Sequence, residues 1–196
     1  VAEKFRLDVV VLAGGGGRRL GGTSKADLTL HGRRLLDHLL DDLAAWADPV
    51  AAPGTIVVVA PASVAVPAGV LRVLEDPPGG GPAAGIAAAV GSLGAGDLVA
   101  VVTCDAPRAV RALPELIGNI GPDGAVVSTV AGFDEFLLGV YRFAALRRRV
   151  AEEDGARDIS ARRLLGVLDL TRVRLAGDFA RDVDTWEDLR ALEEGA

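Results

Sequence analysis

Residues 9–25 constrain this chain more than any other stretch. Val9-Val10-Val11-Leu12-Ala13 is an apolar, largely β-branched run, and it stops at Gly14-Gly15-Gly16-Gly17. A run with no polar face reads as a strand covered on both sides, as strands of parallel sheets are. The glycines that follow leave backbone N–H groups uncovered by any Cβ, so phosphate oxygens can approach them closely. Arg18, Arg19 and Lys25 add fixed positive charge to the same loop. A strand ending in such a loop suits the phosphates of a nucleotide. The chain has two lysines, Lys4 and Lys25, against nineteen arginines. A lysine kept at the loop's end therefore points to a need for a compact ammonium there. The plainer reading is a flexible glycine loop after an ordinary first strand.

Spacing excludes two common phosphate loops. A Walker A loop has Lys directly after its last Gly and Ser or Thr after the Lys; here Thr23 and Ser24 intervene, and Ala26 follows Lys25. A dinucleotide G-x-G-x-x-G fails as well, because the sixth position from Gly14 is Arg19 and from Gly15 is Leu20.

Strand and helix signals alternate along the rest of the chain. Leu36, Leu39, Leu40 and Leu43 fall at helical spacing, and Pro49 to Gly54 reads as the break after that helix. Strands are expected over Thr55–Ala60, Val70–Leu74 and Leu98–Thr103. The Gly- and Pro-rich piece Glu75–Gly85 leads into an Ala-rich helix ending about Leu93. A helix over Val110–Ile117 follows, then strands over Ala125–Val130 and Phe136–Tyr141 joined through Gly132, Asp134 and Glu135. Arg142–Glu153 reads as helix, Ser160 as the cap of a helix reaching Leu168, and Leu170–Leu175 as a strand. Thr185 is placed to cap a last helix. The alternation gives an α/β fold, layered around a mostly parallel central sheet. With 196 residues, half of them hydrophobic, a single domain over 1–196 is expected.

Charge and cysteine content narrow the partners. A net charge of −6 argues against a nucleic-acid surface, and no apolar run approaches a membrane span. The single Cys104 rules out an internal disulfide and a cysteine-rich metal site. No signal-peptide pattern opens the sequence, and a cytoplasmic protein is expected.

In sheets of this kind ligands bind beyond the carboxyl ends of the strands. The Gly14–Lys25 loop, Asp76–Gly85 and Asp105 all sit at strand ends, and Asp182-Val183-Asp184 lies between the last strand and the last helix. Such a set suits nucleotidyl transfer, in which a phosphate or hydroxyl attacks the α-phosphorus of a nucleoside triphosphate and pyrophosphate leaves. The barrier is mostly charge on phosphate oxygens, so positioning and positive charge do most of the catalysis. The loop N–H groups with Arg19 and Lys25 would hold the triphosphate. Asp105 is the first choice as a Mg²⁺ ligand and Asp184 the second, since Mg²⁺ takes one or two carboxylates beside phosphates. Other roles stay open: Asp105 as cap of the following helix, Asp182 and Asp184 as partners of the last helix's N-terminus, and Asp76 as a turn former. Cys104 reads as a small buried hydrophobe, and Trp46 and Trp186 as packing residues.

The pattern L-A-G-G-x-x-x-R-L-G-G-x-x-K over residues 12–25 resembles the signature of nucleotidyltransferases, and most closely that of the MobA-like molybdenum cofactor guanylyltransferases. Leu12, Ala13, Gly14 and Gly15 match that family's opening loop, with Gly16 beside them, and Arg19 and Lys25 its loop cations. Glu75-Asp76 resembles the acidic pair before its central loop. Gly81-Pro82-Ala83-Ala84-Gly85 is similar to its G-P-L-A-G segment near the base, which implies nucleotide contacts at Asp76, Gly81, Pro82 and Gly85. Cys104-Asp105-Ala106-Pro107 resembles a C-D-x-P motif whose Asp binds Mg²⁺, Gly139-Val140-Tyr141 a G-V-Y strand, and Asp182-Val183-Asp184-Thr185 the C-terminal motif.

The resemblance implies a Rossmann-like fold that transfers GMP from GTP to molybdopterin. It also implies transient contact with other proteins of molybdenum cofactor biosynthesis or with acceptor proteins. Ala60-Pro61 stands where the guanylyltransferases tend to have Asn, and Ser24 where they often have Asp. The Asp-x-Asp-Thr motif is at least as reminiscent of the cytidylyltransferases, which leaves open CTP as the donor and a cytidylyltransferase or other small-phosphate nucleotidyltransferase of the same fold as the alternative. A nucleotide-binding module without catalysis is the reading from a different class, and the presence of both Asp105 and Asp184 counts against it.

Overall fold

The structure, a computed structural model, describes residues 4–14, 16–17, 23–175, 177, 179 and 182–194. The opening apolar run forms β1, Phe5–Leu12, and Val9, Val10 and Val11 are all buried. Gly16–Gly17 (β2) and Thr23–Ser24 (β3) pair antiparallel. Thr29–Leu30 (β4) and Arg33–Arg34 (β5) form a hairpin. Its turn residues His31 and Gly32 both have positive φ, as a two-residue hairpin turn requires. Then follow α1 (Leu35–Ala45), β6 (Ala51–Val59), β7 (Leu71–Val73), α2 (Pro82–Ser92) and β8 (Leu98–Thr103). After these come α3 (Leu113–Gly118), β9 (Gly124–Ser128), β10 (Asp134–Arg142) and α4 (Phe143–Glu152). The chain continues through α5 (Ala161–Leu165), β11 (Leu170–Arg174) and α6 (Trp186–Glu194).

Seven strands make the central sheet in the order β11-β9-β10-β8-β1-β6-β7. β1 lies parallel between β6 and β8, β7 and β11 extend the edges in parallel, and β10 runs against both its neighbours. Side chains alternate across a strand, and here the alternation sorts the core into two layers. Val9, Val11, Val58, Ala100 and Val102 pack with α1 and α3 on one face. Val10, Val57, Val59, Val99 and Val101 pack with α2, α4 and α5 on the other. The α2 helix lies close on the sheet because its residues are small: a Cβ on Gly85 would come within 3.0 Å of Val59 Cγ1. A smaller cluster of Leu28, Leu30, Leu35, Val183, Leu189 and Leu192 binds α6 to the β4–β5 hairpin. Among the described residues no helix is long and apolar enough to cross a membrane.

Several boundaries differ from expectation. Pro49 to Gly54 does not simply break the chain, since β6 begins at Ala51. Pro53 pairs with Leu7 on a stretch of β6 that β7, paired with Val57–Val59, does not reach, where a proline is tolerated, and the register then shifts between Leu7 and Val9. The buried Asp8 at this bulge accepts a hydrogen bond from the Thr55 N–H through Oδ1, at 2.6 Å. Asp134 and Glu135 belong to β10, not to the turn before it, because they pair with Ser128 and Val127. The helix after Ser160 stops at Leu165, and the helix expected over Val110–Ile117 is split into a 3-10 turn, Ala109–Ala112, and α3. Trp46 is partly buried against the core, whereas Trp186 is half exposed.

Candidate active site

Two hydrogen bonds bring distant segments together at the carboxyl end of β1. The Cys104 N–H donates to the Leu12 carbonyl at 3.0 Å, which sets the residue after β8 beside the end of β1. The Val183 N–H donates to the Asp105 carbonyl at 2.9 Å. Val183 itself is wholly buried, so the anchor is firm and its neighbour Asp184 is carried to the same place. On the glycine-loop side, Lys25 opens a 3-10 turn, Lys25–Asp27, pinned by the buried Ala26.

The outcome is an ionic triad. Lys25 Nζ stands 2.6 Å from Asp105 Oδ2 and 2.5 Å from Asp184 Oδ1, donating to both. Burial works against the ammonium's charge, but hydrogen bonds to Asp105 and Asp184, and their charges, outweigh it and push its pKa well above the ordinary lysine value. Asp105 Oδ1 is buried and has no hydrogen-bond partner among the described residues. Asp105 does not act as a side-chain cap of the turn that follows it, so the capping alternative fails. The last helix is capped instead by Thr185 and Asp188: the Asp188 carboxylate accepts from the Thr185 N–H at 2.8 Å, and Thr185 Oγ1 accepts from the Asp188 N–H at 3.2 Å. This frees Asp184 to face Lys25.

The triad borders a cavity of about 690 Å³. Leu12 and Gly14 form its floor at the end of β1, Val59 and Pro61 continue it from β6, and Glu75, Pro78, Gly79, Gly81, Pro82 and Gly85 make a wall. The segments expected from sequence to carry the site therefore meet in one place. Within them, Leu12, Gly14, Lys25, Gly81, Pro82, Gly85, Asp105 and Asp184 line the cavity. Ala13 and Asp76 do not: Ala13 packs into the core and its N–H donates to the Val59 carbonyl. Gly16 pairs with Ser24 across the β2–β3 ladder. Arg19 and Gly15 lie outside the described residues.

Of the acidic pair it is Glu75, not Asp76, that lines the cavity, with its Oε1 accepting from the Gly79 N–H at 2.9 Å. Cys104 also lines it, a buried thiol whose pKa burial pushes up, with the Asp105 charge adding to the effect. Sequence reasoning passed over Val59, Leu74, Pro78, Gly79 and Leu137. Only Pro78 and Gly79 carried a local signal, as members of the Gly-Pro loop. Asp182 lines a smaller neighbouring cavity of about 210 Å³ with Glu135 and Arg162. Burial, then the charges of Asp105, Glu135 and Asp184, push its carboxyl up to about 7, although Lys25 opposes the shift.

A glycine at the end of β1, a lysine ammonium and two converging carboxylates border one cleft, an arrangement suited to nucleotidyl transfer. The comparisons agree with that class. Residues 9–167 match the MobA-like NTP transferase domain. A molybdenum cofactor guanylyltransferase of Acidiphilium cryptum is 31% identical over 96% of this chain and 95% of its own. Among solved structures, molybdopterin-guanine dinucleotide biosynthesis protein A of Archaeoglobus fulgidus superposes with a TM-score of 0.68 at 20% identity, covering 95% of this chain and 97% of that one. The 2-C-methyl-D-erythritol 4-phosphate cytidylyltransferase of Thermus thermophilus gives 0.62 at 19% identity, covering 94% and 96%. The chain belongs to the MobA-like NTP transferase family.

Proposed function

We propose that the protein transfers GMP from GTP to molybdopterin with release of pyrophosphate. The observation that carries this reading is the meeting of Lys25, Asp105 and Asp184 at a cavity floored by Leu12 and Gly14. The guanylyl and molybdopterin parts rest on the relative of Acidiphilium cryptum. In the reaction, an oxygen of the acceptor's phosphate forms a bond to the α-phosphorus of GTP as the bond to the β-phosphate's bridging oxygen breaks. Its electron pair leaves with pyrophosphate. A phosphomonoester is already anionic near neutral pH, so no general base is needed. Lys25 supplies a cation whose proton its neighbours hold in place, and Gly14 lets the donor's phosphates approach the backbone.

The residues fit a Mg²⁺ ion. Two carboxylates from separate segments converge, and one buried oxygen, Asp105 Oδ1, lacks a partner among the described residues. Among the described residues no group of three or more His, Cys, Asp or Glu is arranged to hold a metal, so Asp105 and Asp184 would hold Mg²⁺ together with substrate phosphates. Bound there, the ion would neutralise charge developing on the transferred phosphate.

A cytidylyl transfer is the second reading, supported by Ala60 and Pro61 standing where the guanylyltransferases tend to have Asn and by the likeness of the fold to the cytidylyltransferase of Thermus thermophilus. A thermal-shift panel of GTP, CTP, ATP and UTP with and without Mg²⁺ decides between them. A ligand at about a hundred times its Kd stabilises by about 2.7 kcal/mol. A shift with GTP that Mg²⁺ enhances is expected. A shift with CTP alone would transfer the assignment to cytidylyl chemistry, and no shift with any nucleotide would remove both.

A further inference from the structure

The cavity wall between Glu75 and Gly81 has little to hold it from within. Asp76, Pro77, Pro78 and Gly79 are exposed, and Gly80 alone is buried. Pro77 and Pro78 have no N–H to donate. A single bond spans the loop's first part, from the Gly79 N–H to Glu75 Oε1. Yet Pro78 and Gly79 line the cavity, so their position shapes whatever binds there.

The missing support comes from the turn after α4. Arg157 Nη1 donates to the Pro77 carbonyl at 2.6 Å, and the next residue's N–H, that of Asp158, donates to the Gly80 carbonyl at 3.0 Å. The two lining residues are thus clamped on either side. The arginine stem lies against Gly80 as well: a Cβ there would sit 3.2 Å from Arg157 Cγ and 3.1 Å from Nη1. The turn that presents these groups has an uncommon backbone. Asp154, Ala156 and Asp158 have φ of 45°, 56° and 57°, with Gly155 at 82° between the first two. Residues with a Cβ seldom adopt this left-handed region, and where they do the surrounding structure must enforce it. Here the buried Ala156, in the core layer beneath α2, anchors the turn.

We infer that Arg157 is a positioning residue for the nucleotide wall, holding Pro78 and Gly79 in place without touching the ligand. This rests on the reading that the cavity binds a nucleoside triphosphate. The test compares wild type, Arg157→Ala, Arg157→Lys and, as a surface-charge control, Arg147→Ala. Calorimetry with GTP and Mg²⁺ gives Kd, steady-state kinetics give kcat and KM, and hydrogen exchange follows the 77–81 amides.

Arg157→Ala is expected to weaken GTP binding and raise KM about tenfold, the loss of one charge-assisted bond. Saturated kcat should change little, and exchange at Gly79 and Gly80 should quicken. Arg157→Lys should restore part of the affinity, and Arg147→Ala should match wild type. Should Arg157→Ala fail to fold, Arg157→Met keeps the stem and carries the same comparison. Unchanged affinity and exchange in a folded variant would overturn the proposal while leaving nucleotide binding intact. Wild type that takes up no nucleotide would overturn the nucleotide reading and this proposal with it.

Discussion

An ammonium set 2.6 Å from one carboxylate and 2.5 Å from another holds its proton far above the pH at which a free lysine releases it. Lys25 is thus a permanent charge, and the pH dependence of the reaction will not report its titration. Lys25→Ala should lower turnover by about 10²-fold or more, with an unchanged circular dichroism spectrum, since the side chain lies at the cavity and outside the core. Asp105→Asn should abolish the gain in GTP-dependent Tm that Mg²⁺ provides; a normal gain would remove Asp105 from the metal assignment. At this scale much was legible. Lys25 stood out against a chain built of arginines, Asp105 followed a strong strand signal, and Asp184 stood just before a helix cap. That the lysine would stand between the two acids was not legible. The partners are 80 and 159 residues away, and no local pattern encodes a contact at that range. Nor could sequence separate Glu75 from Asp76, because a loop without periodicity does not say which neighbour faces inward.

Elements are specified most clearly at their ends. Ser160 accepts from the Arg163 N–H at 3.1 Å, and Thr185 shares a reciprocal cap with Asp188, both at positions the sequence marks as helix starts. Asp188→Ala should cost about 1 kcal/mol, read as a lower denaturation midpoint. It should also weaken GTP binding, because the cap fixes the backbone next to Asp184. At the start of α1, Arg34 grips Asp37 through two bonds, of 2.9 and 2.6 Å, and these hold the Asp37 carboxyl below the usual carboxylate range, with burial opposing. A depressed acid stabilises the fold above its unfolded pKa and loses that contribution as pH falls through its folded value. Asp37→Asn should therefore lose a few tenths of a kcal/mol at pH 7, and the difference from wild type should vanish in acid. The early start of β6 escaped sequence reading for a physical reason. Pro53 and Gly54 are local breakers, and the ladder runs through them because Pro53 lies beyond the reach of β7 and a bulge at Asp8 follows it.

Across the whole molecule, the β-α alternation announced a mostly parallel sheet, but not its order. β10 enters between β8 and β9 through pairings such as Tyr141 with Val99 and with Gly124, a choice made by packing rather than by turn chemistry. Away from the site, the buried Asp8 carboxylate occupies space that two glycines leave open. A Cβ on Gly96 would meet Asp8 Oδ2 at 2.6 Å. Gly96→Ala should destabilise the protein by about 1–3 kcal/mol in denaturant titration and leave the Kd for GTP unchanged, a separation of stability from binding. The place of β1 has a consequence for how the chain acquires its shape. Its two ladders join it to residues 51–59 and 98–103, so no nearby hairpin can satisfy it. Loops that long must close before contact rewards them, which slows folding. Until Thr103 is available for pairing, one edge of the apolar strand Val9–Val11 stays open to association with other chains. A chaperone that shields this run early should raise the yield of refolded protein more than it alters the final stability.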